Sequence, residues 1–330
     1  MGTTTAPFPT QRVAWQVKFL LLSVIWGSSF LLMKVGLEAL HPVQISTLRV
    51  VSGVVTLLVL CTLTRTALPR GRIVWAHLVA CGFFSAALPF TLFALAEQRV
   101  SSALAGIGNS ITPVATMIMA LLILPSDRPT MRKLVAVLVG LAGVVIILQP
   151  WDQLGRPDPI GFAMALAAGC CYGVGWSYNR RFLGRHDLGG LSQPTGQLLA
   201  AAAELVVILI LWWAVSGSRL SAPWSPQTGG HRVLLGVAAV LTLGVVGTGV
   251  AFMLHFDVVR AAGPTVGTML TYLIPIVSVA LGVVVLSEHL AWPQIVGAAI
   301  VIGAAAITQV KLPRRRSDAP PVEPDPVAHP

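Results

Sequence analysis

The chain has 330 residues, 55% of them hydrophobic and 10% charged, with a mean hydropathy of +0.81. A soluble domain carries roughly a quarter of its residues as charges, so this composition excludes a water-solvated fold and makes lipid part of the solvent. The net charge of +10 arises from 22 Lys and Arg against 12 Asp and Glu; because the basic residues stand singly between apolar runs, it does not describe a nucleic-acid surface.

A helix needs about 20 mostly apolar residues to cross a hydrocarbon core ~30 Å thick. Arg12 and Lys18 precede a first run that continues to Met33. That run is too long for a cleavable signal core and lacks a small-x-small site, so it reads as a retained anchor. Ten segments qualify in all: 16–35, 43–63, 73–95, 102–124, 131–149, 159–179, 196–216, 233–256, 265–286 and 293–311. Their apolar residues cover every face, whereas barrel strands alternate in polarity over about ten residues. The expected fold class is therefore an all-α integral membrane protein with ten transmembrane helices.

Short cytoplasmic loops accumulate Lys and Arg. With the N-terminus inside, 16 basic residues fall on the cytoplasmic side, 5 fall outside and Arg49 lies within a span. This bias places both termini in the cytoplasm and predicts an even number of spans. The chain divides at the Pro-rich segment 150–158, with five spans on each side. An odd number per half makes related halves inverted repeats. The domains are then a cytoplasmic segment 1–15, a first repeat 16–149, an outer linker 150–158, a second repeat 159–311 and a tail 312–330. That tail is charged and Pro-rich, which predicts disorder.

Internal similarity is thin but ordered. Pro113 and Pro275 lie 162 residues apart, and the same register pairs Phe90 with Phe252 and Leu124 with Leu286. In the first span of each half, Trp26-Gly27 corresponds to Tyr172-Gly173, and Lys34 to Arg180.

The residues Trp26-Gly27-Ser28-Ser29-Phe30, Lys34-x-Gly36 and Leu48-Arg49 resemble the opening of the EamA-type drug/metabolite transporter superfamily. Thr112-Pro113 and Gly140-Leu141-Ala142-Gly143 resemble the end of its first half. Thr271-Tyr272-Leu273-Ile274-Pro275 and Leu286-Ser287-Glu288-His289-Leu290 resemble the end of its second. The similarity covers about residues 16–311. The resemblance implies ten spans, two inverted five-helix repeats and a central cavity, in proteins that mostly export amino acids, related metabolites or toxic organic compounds. Leu124-Pro125-Ser126-Asp127-Arg128 departs from the family's usual Gly-Glu turn.

Ionisable groups inside a membrane are costly, about 2.5–3.5 kcal/mol at the span centre on insertion scales. Glu204, mid-way along the seventh segment, is the proton-coupling candidate, set against a purely structural carboxyl. Arg49 either attracts a carboxylate-bearing substrate by bidentate hydrogen bonding or holds helix ends. Arg49 and Lys34 together suggest a weakly electropositive outer vestibule. Pathway candidates suited to an amphipathic organic solute are Trp26, Ser28 and Ser29, with Tyr172, Trp176 and Asn179 at helical spacing in the repeat partner. Asn109, Pro113, Tyr272 and Pro275 join them, since an intramembrane proline frees a backbone carbonyl and bends its helix. His255 and Asp257 read as interfacial. Glu97-Gln98-Arg99 reads as a polar turn.

Cys61, Cys81, Cys170 and Cys171 have no zinc-site spacing and read as small, buried hydrophobes. Nothing in the sequence asks for a cofactor or a metal. Expected partners are a small-molecule substrate and the lipid bilayer, with protons as an optional coupling ion. No nucleic acid is expected, and the oligomeric state stays open, a homodimer being one option. The sequence thus reads as a plasma-membrane secondary transporter, most simply a metabolite or drug exporter. A nucleotide-sugar or sugar-phosphate carrier is the alternative within transport, and a membrane enzyme or scaffold the alternative outside it. Walker A, His-Glu-x-x-His and Gly-x-Ser-x-Gly patterns are all missing, which counts against an enzyme.

Overall fold

The structure, a computed structural model, describes residues 14–123, 131–149, 157–186, 188–216, 230–262 and 264–309. Residues 1–13, the 124–128 departure, most of the 150–158 linker and the 312–330 tail lie outside the described residues. Among the described residues every regular element is helical. In chain order these are α1 (Trp15–Gly36), α2 (Pro42–Thr64), α3 (Arg72–Gly82), α4 (Leu88–Glu97), α5 (Ser102–Gly108), α6 (Thr112–Ile123) and α7 (Met131–Leu148). There follow α8 (Pro159–Tyr178), α9 (Ser192–Ser216), α10 (Gly230–Gly244), α11 (Ala251–Ala262), α12 (Pro264–Leu286) and α13 (Trp292–Gln309).

Several of these are segments of one rod joined by irregular turns. A π-helical turn at Phe83–Ala87 links α3 to α4, and a second at Val245–Val250 links α10 to α11. The two begin 162 residues apart, the offset that separates Pro113 from Pro275. A 3₁₀ turn at Asn109–Ile111 joins α5 to α6, and a π turn at Asn179–Leu183 extends α8. Among the described residues seven helical stretches are long and apolar enough to cross a membrane, and 138–147, 273–286 and 292–304 are shorter apolar stretches.

Local chemistry sets the helix starts. His41 caps α2 through Nδ1, which accepts from Val43 N at 3.4 Å, while Gln44 Oε1 accepts from His41 N at 2.9 Å. This reciprocal arrangement satisfies two donors left over at a helix start. Ser101 Oγ accepts from Leu104 N at the start of α5, and Asp158 Oδ1 from Gly161 N at the start of α8. Two ends differ from expectation. Helix α9 starts at Ser192, four residues early, because Pro194 sits in its first turn, where proline has no hydrogen bond to break. Helix α11 runs on to Ala262, which carries His255 and Asp257 into regular helix.

Large apolar side chains line the outside: Leu63 is 75% exposed and Val215 87%. Such a surface needs lipid against it. Lipid tails are as apolar as leucine, so helices associate in a membrane through close packing of small residues rather than through a hydrophobic force. Helix α1 packs on α12 and on α10–α11, while α8 packs on α6 and α4. Helices α2 and α9 contact one another, and α7 pairs with α13. A Cβ at Gly27 on α1 would strike the side chain of Val277 on α12. One at Gly173 on α8 would come within 2.6 Å of the Ala115 backbone on α6. Ala115 and Val277 are again 162 residues apart, so the two glycine contacts correspond.

The cysteines are free; Cys61 and Cys81 are buried, but Cys170 is exposed and Cys171 half-buried. Cys170 corrects the expectation for all four, because its helix face looks away from the bundle.

Candidate functional site

The helices surround a central cavity of about 200 Å³ whose walls are rich in aromatic rings. Trp26 and Phe30 enter from α1, Phe90 and Phe93 from α4, Tyr172 and Trp176 from α8, and Phe252, His255 and Phe256 from α11. Polar groups punctuate these walls: Ser29, Ser85, Asn109, Thr112, Thr116, Asn179, Gln197 and Thr271. Among the described residues one cation, Arg49, faces the same space.

The irregular turns build this arrangement. A π turn inserts a residue and leaves carbonyls without their usual intrahelical donors, which is why such turns gather at functional sites. The Val245–Val250 turn receives two contacts from other helices: Trp26 Nε1 donates to the Gly247 carbonyl at 3.2 Å, and the Thr248 side-chain Oγ1 accepts from Arg49 Nε at 3.0 Å. The Arg49 guanidinium lies 3.6 Å from the Phe90 ring centroid, a cation–π contact, and the residue is only 5% exposed. Both contacts hold the planar group in one orientation, as suits recognition of a planar anion. Pro89 supplies the matching irregularity on α4: it has no N–H to donate back toward Ser85, and the π turn Phe83–Ala87 sits just before it.

His255 is 4% exposed and buried between indoles, with ring centroids 5.2 Å from Trp26 and 5.1 Å from Trp176. The interfacial reading of His255 is therefore corrected. Asp257, on the opposite side of α11, pairs with Lys18 Nζ at 2.6 Å. Lys34 does not open onto a vestibule. Its Nζ donates to the carbonyls of Glu97 at 2.6 Å and Val100 at 3.2 Å, tying α1 to the end of α4. Glu97 itself is fully buried, so only Gln98 and Arg99 of that tripeptide form the exposed turn.

The cavity brings together Trp26, Ser29, Arg49, Asn109, Pro113, Tyr172, Trp176 and Asn179. Ser28 is not among its walls and bonds back to the Ile25 carbonyl. Pro275 is buried inside α12 but off the cavity, and the side chain of Tyr272 lies outside the described residues. Pro113 occupies the first turn of α6, directly after the 3₁₀ turn, so there it ends one helical segment rather than bending a continuous one. Glu204 projects from the peripheral helix α9, half-buried and away from the cavity walls. Sequence reasoning missed Phe93, Ser85, Gln197 and the α11 contributors. Phe252, His255, Phe256 and Val259 were legible as one helix face, being spaced three and four apart.

An all-helical bundle with a lipid-compatible exterior and a solute-sized cavity between its helices defines a multi-pass membrane protein of the carrier kind. The chain belongs to the EamA-like transporter family, whose model matches residues 14–149 and 159–309. It is accordingly a membrane transporter with a small-molecule substrate, not an enzyme. The uncharacterized inner membrane transporter YedA of Escherichia coli K12 is 26% identical over 266 residues, covering 79% of each chain. Protein PecM of Dickeya dadantii is 23% identical over 308 residues, covering 91% of this chain and 94% of PecM. A crystal structure of a protein 22% identical superposes with a TM-score of 0.58, covering 89% of this chain and 96% of that one. At that identity it shows a shared fold.

Proposed function

We propose that the protein exports small amphipathic organic metabolites or drugs across the plasma membrane by alternating access. The observation that carries this reading is the cavity, in which aromatic faces surround one oriented cation and several uncharged polar groups. Aromatic walls suit an apolar body, and Arg49 suits a carboxylate or similar anionic group. A nucleotide-sugar substrate favours several cations in the cavity, and Arg49 is the one cation among its described walls.

In this reading ten spans form two inverted five-helix repeats, with both termini cytoplasmic. The seven long apolar helices and three shorter apolar stretches supply ten candidates. The shared 162-residue offset of the π turns, of the prolines and of Ala115 and Val277, the partners of Gly173 and Gly27, supports the repeat. The charge bias supports the orientation. The Lys34–Glu97 end is then outward. Cavity residues toward that end, such as Met33 and Phe93, are buried, whereas Asn179, Phe256 and Val259 toward the other are half-buried. That gradient fits a cavity reached from the cytoplasm.

Efflux from cells, read as uptake into everted vesicles, tests the function. Amino acids, cationic drugs and other metabolites should be screened with and without a pH gradient. At least one aromatic or amphipathic compound is expected to move, with Trp176→Ala lowering its rate at unchanged protein level. If no compound moves under any gradient, the exporter reading fails.

A further inference from the structure

Among the described residues, Glu97 is the one whose two carboxyl oxygens are both buried without a hydrogen-bond partner, and the residue is 0% exposed. It closes α4, at the end of the bundle where α1, α5 and the segment after α12 meet. The charged groups facing it are Lys34 from α1, Arg49 from α2 and Glu288 from the segment before α13. Each is engaged elsewhere. Lys34 Nζ binds the Glu97 and Val100 carbonyls. Arg49 Nε binds Thr248, and its guanidinium rests on Phe90. The Glu288 carboxylate accepts from Ser102 N at 2.7 Å, Ala103 N at 2.9 Å and Ser102 Oγ at 3.1 Å. Arg99, two residues on, lies 3.7 Å from Asp158.

An ionised carboxylate buried without a donor is expensive, and removing the partner of a buried ion leaves a penalty of several kcal/mol. A neutral carboxylic acid in the same place costs far less. The position also matters, because the Lys34 and Glu288 contacts are the ties that hold this end of the bundle shut.

We propose that Glu97 is a proton-binding latch: it carries a proton while this end is closed, and on opening it releases that proton to water and takes Lys34 Nζ as its ion-pair partner. The O–H bond breaks heterolytically, the electron pair stays on the carboxylate and the proton passes to water, so no redox partner is needed. Lys34 moves from two carbonyls to the carboxylate beside them, which requires α1 to shift against α4. Glu204, half-buried on peripheral α9, has no such tie to release. That the latch gates a substrate rests on the transport reading; proton binding at Glu97 does not.

Because the closed form binds the proton better, acid favours closure, and by linkage the closed-to-open ratio changes by up to about tenfold per pH unit across the transition. The full chain in lipid nanodiscs tests this in two measurements. Infrared titration between about pH 5 and about pH 9 should show a protonated-carboxyl band that Glu97→Gln removes, Glu97→Asp shifts in frequency and Glu204→Gln leaves intact. If Glu97→Gln does not fold, the frequency shift in Glu97→Asp decides the assignment. Spin labels at Glu38→Cys and Gln98→Cys, in a Cys170→Ser background, should move apart as pH rises and stay close at every pH in Glu97→Gln. A band that survives Glu97→Gln unchanged, or an unshifted one in Glu97→Asp, overturns the proton site. A band at Glu97 with no pH-dependent separation overturns the latch. Neither measurement uses a transported compound, so an inactive efflux screen leaves both results interpretable.

Discussion

Trp26 and Ser28 are two positions apart on α1, yet the fold uses them differently. The Trp26 indole N–H reaches across to the Gly247 carbonyl within a π turn, while the Ser28 hydroxyl bonds back to its own helix. Net hydrogen-bond contributions are about 1 kcal/mol, and stranding a buried acceptor costs about 1–3 kcal/mol. Trp26→Phe should therefore lower the thermal midpoint in nanodiscs measurably, whereas Ser28→Ala should leave it within error. Equal losses would remove the special role of the Gly247 carbonyl.

Two elements carry predictions of their own. The α2 cap uses neutral His41, whose ring stacks on Trp212 with centroids 4.3 Å apart. Burial holds the His41 pKa below its ordinary value. The folded protein then binds fewer protons than the unfolded chain, so stability rises with pH through the window. This contribution is complete above the ordinary imidazole value of about 6.5 and declines as pH falls through the lower folded-state value. His41→Asn supplies a side-chain oxygen as the capping acceptor in place of Nδ1 without titrating, and should flatten the midpoint-against-pH curve below about pH 6.5. At the α6–α8 contact, Gly173→Leu must push the Ala115 backbone away, and overpacking of this kind costs about 1–3 kcal/mol or more. Gly303 on α13 has open space around its Cβ position. Gly303→Ala should be neutral or stabilising by up to about 1 kcal/mol through helix propensity. A midpoint comparison of the two variants checks both.

At the scale of the molecule, the proposed inverted repeat makes a conformational prediction. Lys34 holds the carbonyls of Glu97 and Val100. Its repeat partner is Arg180, and the 162-residue offset turns those carbonyls into Val259 and Ala262. In the oppositely open state Arg180 should close on those carbonyls while Lys34 leaves its own pair for the Glu97 carboxylate. Label pairs at Glu38/Gln98 and at Phe182/Ala261 should accordingly change distance in opposite senses under any condition that switches the carrier. Changes of the same sign at both ends would remove the exchange of latches.

Hydropathy and length, by themselves, determined the membrane setting and the approximate helix limits, because each span must be apolar and long enough regardless of its neighbours. Periodicity and residue type also drew out part of the cavity, including Trp26, Arg49, Asn109, Tyr172 and Trp176. They drew out that part because aromatic and polar groups inside a span stand out against aliphatic ones. Tertiary structure alone decided which of them meet. It put Glu204 on the periphery and Glu97 in the interior, although in sequence Glu204 is the residue within a span and Glu97 the one beside a turn. It also recruited His255 and turned Lys34 onto carbonyls. Those outcomes depend on helix rotation and on π turns, which change the facing of a side chain without altering the hydropathy of the segment that carries it.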